Sequence, residues 1–349
     1  MAREREKGEV ERMRSMDVIE PASGEWASPV VMVPNPDGSE RFCIEKRKLN
    51  LMTIKDAYPI PGMDECIDSL GDARVFSTLD SNAGYWQIPV AWEDKHLTAF
   101  TCHSGAWQCV RLPFGLCNAP ATFQRAMDMI LAGVKWQICL VYLDDVIVFP
   151  GFPEKHLQQL DEVLNLLGKA GVTLKASKCQ FSQEEVENHG HMIRPGRVHV
   201  LEKNLQELWG FRYPETQTQM KSSLGMCGIY RRFIADFTKT AKPSTTLTST
   251  RLSKKLPPPT EKETDAFEIL RGHLLDASIL ALPNRHGHSI VDVDASYEQL
   301  GCFLQQHQSD EEYHPIGYYS RALLPEEKNY FATDIAALGV VRAVTYSRS

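Results

Sequence analysis

Residues 140–149 read LVYLDDVIVF, and the rest of the chain is best read outward from them. Two apolar runs rich in β-branched residues flank Asp144 and Asp145. Runs of this kind form short buried strands. Residues 138–149 therefore predict a strand, a turn and a strand, with both carboxylates at the hairpin tip. A plain turn is the alternative, because Asp favours turns. Against it, the segment from Leu143 to Val146 offers no Gly or Asn. Two carboxylates packed beside Val and Ile are also costly unless a cation neutralises them. A second apolar strand, from Val75 to Leu79, closes on Asp80, which could equally be a turn residue. Carboxylates at the ends of neighbouring strands can share divalent metals roughly 3.5–4 Å apart. Mg2+ suits such a set, because it takes a few carboxylates together with phosphates and water. The expected chemistry is metal-dependent phosphoryl transfer.

Upstream, residues 1–20 alternate charges at helical spacing and predict a solvated helix or frayed arm. Residues 30–33 and 41–44 predict two strands around an Asp37-Gly38 turn. A short helix is expected from Asp64 to Leu70. Trp86 to Val90 reads as extended, and residues 97–100 and 107–110 as a hairpin. Ala121 to Leu131 reads as a helix with Pro near its first turn. Downstream, His156 to Ala170 predicts an amphipathic helix stopped at Gly171. Residues 172–174 and 179–181 resume β character. Residues 186–250 read as mostly helical. The basic, proline-rich stretch 251–260 reads as a linker. A helix follows from Glu261 to Leu275, then strands at 290–293 and 301–305, and a helix over the last 20 residues.

The length of 349 residues predicts two or three domains. Hydrophobic residues at 43% and charged residues at 24% are ordinary for a soluble globular chain. No apolar run reaches the ~18 residues of a membrane span, and the charged N-terminus lacks a signal-peptide core. The expectation is a cytoplasmic, particle-associated or nuclear protein with no membrane partner. Nine cysteines without a CxxC pair predict free thiols and no zinc module. A net charge of −7 argues against tight nucleic-acid binding unless local basic clusters supply it. Arg41, Lys46, Arg47 and Lys48 form one such cluster, with a solvated face as its alternative.

Eight segments, at 18–33, 41–50, 53–65, 76–90, 112–128, 141–149, 176–191 and 223–237, occur in the order and spacing of one family. Together they resemble the reverse transcriptase of gypsy-like LTR retrotransposons. Two more, at 289–306 and 314–333, resemble the start of the RNase H domain that follows it. The resemblance implies an α+β fold: a right hand of fingers, palm with a ferredoxin-like sheet, and thumb, then a truncated RNase H-like α/β domain. It implies boundaries of 1–17 for an arm, 18–185 for fingers and palm, 186–250 for thumb, 251–285 for linker and connection, and 286–349 for the partial RNase H-like domain. The implied activity is RNA-directed DNA polymerisation with Mg2+, or Mn2+ in its place. The implied partners are dNTPs, a primed RNA or DNA template, and further chains in a homo- or hetero-oligomer within a Pol polyprotein.

Residue by residue, Asp80, Asp144 and Asp145 match the metal-binding carboxylates. Arg41 matches the fingers arginine on the triphosphate. Tyr85 matches the aromatic gate against a ribose 2′-OH, with a core aromatic as its alternative. Phe114 and Gln124 match positions near the nucleotide and template. Gly190 falls in the primer-grip segment. Arg231 and Arg232 would lie near duplex phosphates, with a structural helix surface as the alternative. Asp294 matches the first RNase H carboxylate.

Several positions depart from the family pattern. Pro34-Asn35-Pro36 replaces a run of lysines, Glu45-Lys46 replaces an Asp-aromatic pair, and His189 replaces an apolar residue. Ala336 stands where the catalytic RNase H glutamate is expected, and Asp334 lies on another helix face. Independent RNase H activity is therefore not expected. An inactive remnant that at most binds nucleic acid is the competing reading.

Overall fold

Short apolar runs build the strands beside the paired aspartates, and helices cover them. The computed structural model describes residues 2–34, 40–210, 212–249, 254–275, 279–284 and 286–347. The Asn35-Pro36 departure, the Asp37-Gly38 turn and residues 251–253 of the expected linker lie outside the described residues. The chain divides into two units, residues 1–62 with 77–182, and residues 63–76 with 183–349.

In the first unit, helix α1 (Ala2–Ser15) precedes strands β1 (Ile19–Pro21), β2 (Ser28–Pro34) and β3 (Glu40–Ile44), then the short helix α2 (Arg47–Met52). Together with β5 (Phe100–Cys102) and β6 (Gly105–Cys109), these strands form a sheet in the order β1-β6-β5-β2-β3. The charged arm is more than a solvated helix. Val10 and Met13 bury one stripe of α1 against Val18, Ile19, Phe100 and Cys109.

The second sheet of this unit holds β4 (Phe76–Asp80), β7 (Cys139–Tyr142), β8 (Asp145–Val148) and β9 (Gln180–Gln183). Helix α4 (Ala119–Ile130) lies between β4 and β7, and α5 (His156–Lys169) between β8 and β9. The strand order β7-β8-β4-β9 and the chain order β-α-β-β-α-β make it the expected ferredoxin-like sheet. Val141, Val146 and Val148 are fully buried against Phe123 and Met127 of α4 and Val163 and Leu167 of α5. Each such side chain contributes roughly 1.5–3 kcal/mol relative to exposure. Between β4 and β5 the chain differs from its expectation. The segment expected to run extended from Trp86 begins inside a 3-10 turn at Gly84–Gln87, entered through Ala83 at φ +50°.

The second unit begins with α3 (Met63–Asp68) and resumes at a hairpin sheet where helix was expected. Strands β10 (Val186–Asn188), β11 (His191–Arg194) and β12 (Arg197–Val200) pair antiparallel, and β13 (Leu280–Ala281) joins their edge. The correction has a local cause: His189-Gly190 and Pro195-Gly196 are two-residue turns that join short alternating runs. Helices α6 (Glu202–Trp209), α7 (Gln217–Ile229), α8 (Phe237–Thr246) and α9 (Glu261–Leu275) supply the helical part. In the proline-rich stretch, Leu256 is buried beside Met220 and Leu247. Last come β14 (Ser289–Ala295), β15 (Gln299–His307), β16 (Tyr313–Ala322) and α10 (Ala332–Tyr346). Strand β16 was not anticipated; it forms a ten-residue antiparallel partner for β15. All nine cysteines are free thiols.

Candidate active site

The hairpin tip is built as its sequence requires, with one surprise. Strands β7 and β8 close through Leu143 and Asp144, and Leu143 adopts φ +54°. A branched L-residue in the left-handed region costs roughly 1–2 kcal/mol. The conformation is held by Gln124 on α4, whose Oε1 accepts from the Leu143 backbone N–H at 2.8 Å. On the neighbouring strand Asp80 sits in register with Asp145. The Ser81 N–H donates to the Asp144 carbonyl at 3.3 Å. All three carboxylates thus gather at one end of the sheet.

Asp144 is the most constrained of them. Its Oδ1 is buried and has no hydrogen-bond partner. Burial raises its carboxyl above the usual range, the charges of Asp145 and Asp80 raise it further, and Lys178 opposes. Lys178 donates to Asp80 Oδ2 at 3.0 Å, and that bond raises its own ammonium above the ordinary value. A hard, oxygen-only donor set with an orphaned buried oxygen fits a divalent cation. The fit is not pre-closed. Among the described residues the trio of ligand atoms that lies within 4.8 Å is Asp310, Glu312 and His314. That trio sits at the β15–β16 hairpin, and its Asp310 already accepts from His314. At the sheet end, a cation must take Asp80 from Lys178.

Gly84 explains how Asp144 is accommodated. A Cβ there would lie 2.8 Å from Asp144 Oδ1 and 3.1 Å from Phe123. Only glycine permits that approach. Next to it, Tyr85 packs its ring at 5.1 Å from Phe114 and 5.6 Å from Phe123. Burial, then the charge of Asp144, raises its phenol. Tyr85 is thus both a palm-core aromatic and a neighbour of the carboxylates. Phe114 is half exposed, and with Arg41, Arg12 and Trp86 it lines a pocket of about 460 Å³.

Two expectations in this unit need correction. Gln124 is completely buried and bonds Leu143, Val141 and Asp128, so no part of it is left to touch a nucleotide. Lys46 does not join a basic surface: it is 2% exposed, and its Nζ donates to the Thr98 carbonyl at 2.7 Å. Burial holds its ammonium below the ordinary value. Arg47 is paired with Glu45.

In the second unit, Gly190 turns the β10–β11 hairpin at φ +88° beside His189 at φ +43°. A Cβ there would meet Tyr230 Oη at 2.6 Å, and that hydroxyl donates to the Gly190 carbonyl. Arg232 overturns its expectation. It is buried, ion-paired with Asp68 at 2.7 Å and Asp64 at 3.4 Å, and donates to the Ile316 carbonyl. A phosphate has no access to it. Arg231 is exposed but gives its guanidinium to the Ser320 carbonyl. Asp294 is exposed on β14, and Ala336 lies on α10.

Gly84, Lys178 and Asp128 were missed. The NAGYW run and the basic residues after Leu174 were the available signals for the first two. Asp128 had none.

Residues 33–193 match the reverse transcriptase (RNA-dependent DNA polymerase) family. They form a reverse transcriptase domain. Residues 260–349 match the RNase H-like domain found in reverse transcriptase. Among relatives, the retrovirus-related Pol polyprotein from transposon 297 of Drosophila melanogaster is 36% identical over 344 residues. That match covers 97% of this chain and 32% of the relative. The Pol polyprotein from transposon gypsy of the same organism is 33% identical over 353 residues, covering 96% and 33%. The chain thus spans about a third of the length of these curated relatives. Among solved structures, a foamy viral protease-reverse transcriptase in complex with an RNA/DNA hybrid gives a TM-score of 0.84 at 21% identity, over 99% of this chain and 46% of that one. The same viral protein in complex with dsDNA gives 0.81 at 21% identity, over 97% and 70%. At that identity the likeness is one of fold.

Proposed function

We propose that the chain is an RNA-directed DNA polymerase that adds dNTPs to a primer 3′-OH on an RNA or DNA template. The observation that carries this reading is the gathering of Asp80, Asp144 and Asp145 at one end of the ferredoxin-like sheet, with a buried, unpartnered oxygen on Asp144. The reverse transcriptase match of residues 33–193 supports it, as do the nucleic-acid complexes in which the foamy viral neighbours were solved.

Asp80, Asp144 and Asp145 would hold Mg2+, with Mn2+ as a substitute. Bound there, the metal supplies positive charge against the triphosphate and lowers the pKa of the attacking hydroxyl. The chain's own groups do the rest. Gln124 holds the turn that aims Asp144. Tyr85, packed against Phe114 and Phe123, is the candidate gate against a ribose 2′-OH. Arg41 offers its guanidinium to the triphosphate from the exposed end of β3, and Phe114 walls the same pocket. Gly190 and Arg231 are candidate primer contacts on the second unit.

Primer extension on poly(rA)–oligo(dT) with wild type beside Asp144→Asn tests the reading, with circular dichroism to verify folding. Extension by wild type and none by Asp144→Asn is expected. A folded wild type that extends nothing would overturn the reading and leave an inactive remnant that at most binds nucleic acid.

A further inference from the structure

We propose that Asp128 is the positioning residue of the carboxylate turn: its acceptor-only carboxylate orients the Gln124 amide, and that amide holds Leu143 in the conformation that presents Asp144. The consequence for catalysis rests on the polymerase reading; the consequence for the turn does not.

The Gln124 side-chain amide has two possible orientations. Gln124 is entirely buried, one end toward the β7–β8 turn and the other toward its own helix. Its Oε1 accepts from Leu143 N–H at 2.8 Å. Its Nε2 donates to Asp128 Oδ1 at 2.9 Å and to the Val141 carbonyl at 3.2 Å. An ionised carboxylate can only accept, so Asp128, with the Val141 carbonyl as the longer second acceptor, sets which end of the amide carries the donors. With the amide reversed, an NH2 group would face the Leu143 N–H, two donors with no acceptor between them. The left-handed Leu143 would then lose the bond that offsets its strain.

Asp128 is itself held. Tyr58 Oη donates to its Oδ2 at 2.8 Å, and Lys135 Nζ reaches its Oδ1 at 2.6 Å. Arg125 lies 4.7 Å from the centre of the Tyr58 ring and pairs with Asp56, pinning that segment to α4. The relay Tyr58/Lys135–Asp128–Gln124–Leu143 runs to within one residue of Asp144.

The test uses the full chain and reads the turn without catalysis. In Asp128→Asn, which preserves shape but adds donors, hydrogen exchange of the Leu143 amide should quicken at least tenfold while unprotected surface amides stay unchanged. Mn2+ affinity, titrated by electron paramagnetic resonance, should weaken several-fold. If wild type extends primers, kcat should fall about tenfold with the dNTP KM within twofold. Adding Asp128→Asn to Gln124→Met should cost nothing further, since one residue acts through the other. Should Asp128→Asn fail to fold, Tyr58→Phe removes one anchor and should move Leu143 exchange in the same direction. Unchanged Leu143 exchange in the folded variant overturns the proposal whether or not wild type extends primers. So does full additivity with Gln124→Met.

Discussion

Asp144 shows how one side chain's environment depends on what its neighbour lacks. Its Oδ1 occupies space that any Cβ at position 84 would claim. Gly84→Ala is therefore expected to push Asp144 aside and reduce primer extension at least tenfold, while circular dichroism remains that of the folded chain. His191 offers a second residue-scale prediction. Both of its ring nitrogens are buried, with the ring stacked on Phe233 and edged by Tyr230. Burial, then the charge of Arg232, pushes it down to about 4, with Asp64 and a hydrogen bond to the His189 backbone opposing. The unfolded chain, at the ordinary 6.5, therefore binds a proton that the native state refuses. Stability from this group is complete above pH 6.5 and declines as pH falls toward 4. About 2 kcal/mol should be lost between pH 7 and pH 5. Urea unfolding at the two pH values measures it, and His191→Phe should remove that share of the slope.

At the scale of elements, the β7–β8 hairpin was legible because its apolar runs and paired aspartates carry a local pattern. The β10–β12 hairpins were legible in principle, since His189-Gly190 and Pro195-Gly196 are turn signals, but the helical stretch after them masked the change of period. The role of Arg232 was not legible. Its partners Asp64 and Asp68 lie on α3, 168 and 164 residues earlier, and Ile316 lies on β16. Burial opposes the charge on Arg232, but Asp68 and Asp64 outweigh it and keep the guanidinium protonated. Burial also raises the Asp68 carboxyl, more than Arg232 draws it down. Arg232→Ala removes a buried guanidinium and leaves the partly exposed Asp68 without its partner, and should cost about 1–3 kcal/mol in chemical unfolding. Arg231→Ala, on an exposed side chain, should cost much less.

At the scale of the whole molecule, two family matches divide the chain between a polymerase domain and an RNase H-like domain. The second is expected to hydrolyse nothing by itself. By the family resemblance Asp294 matches the first acidic position and Ala336 the expected glutamate; alanine cannot ligate a metal, and two-metal hydrolysis needs several carboxylates. With a labelled RNA strand in an RNA/DNA hybrid and Mg2+ or Mn2+, the wild-type chain should release no RNA fragments. Release that persists in Asp144→Asn but disappears in Asp294→Asn would refute this.

Sequence by itself determined the family resemblance, the α+β class, the hairpin that carries Asp144 and Asp145, and Asp80 at the end of a second strand. Each rests on neighbours in the chain: a period of two, a turn, a run of apolar residues. Tertiary structure decided which polar side chains face inward. Gln124, Lys46 and Arg232 look like surface or ligand-facing groups in the sequence, yet all three are buried on partners 17 to 168 residues away. A polar side chain gives no sign in the sequence of whether a carbonyl or carboxylate from elsewhere will meet it, and that meeting is what makes its burial affordable.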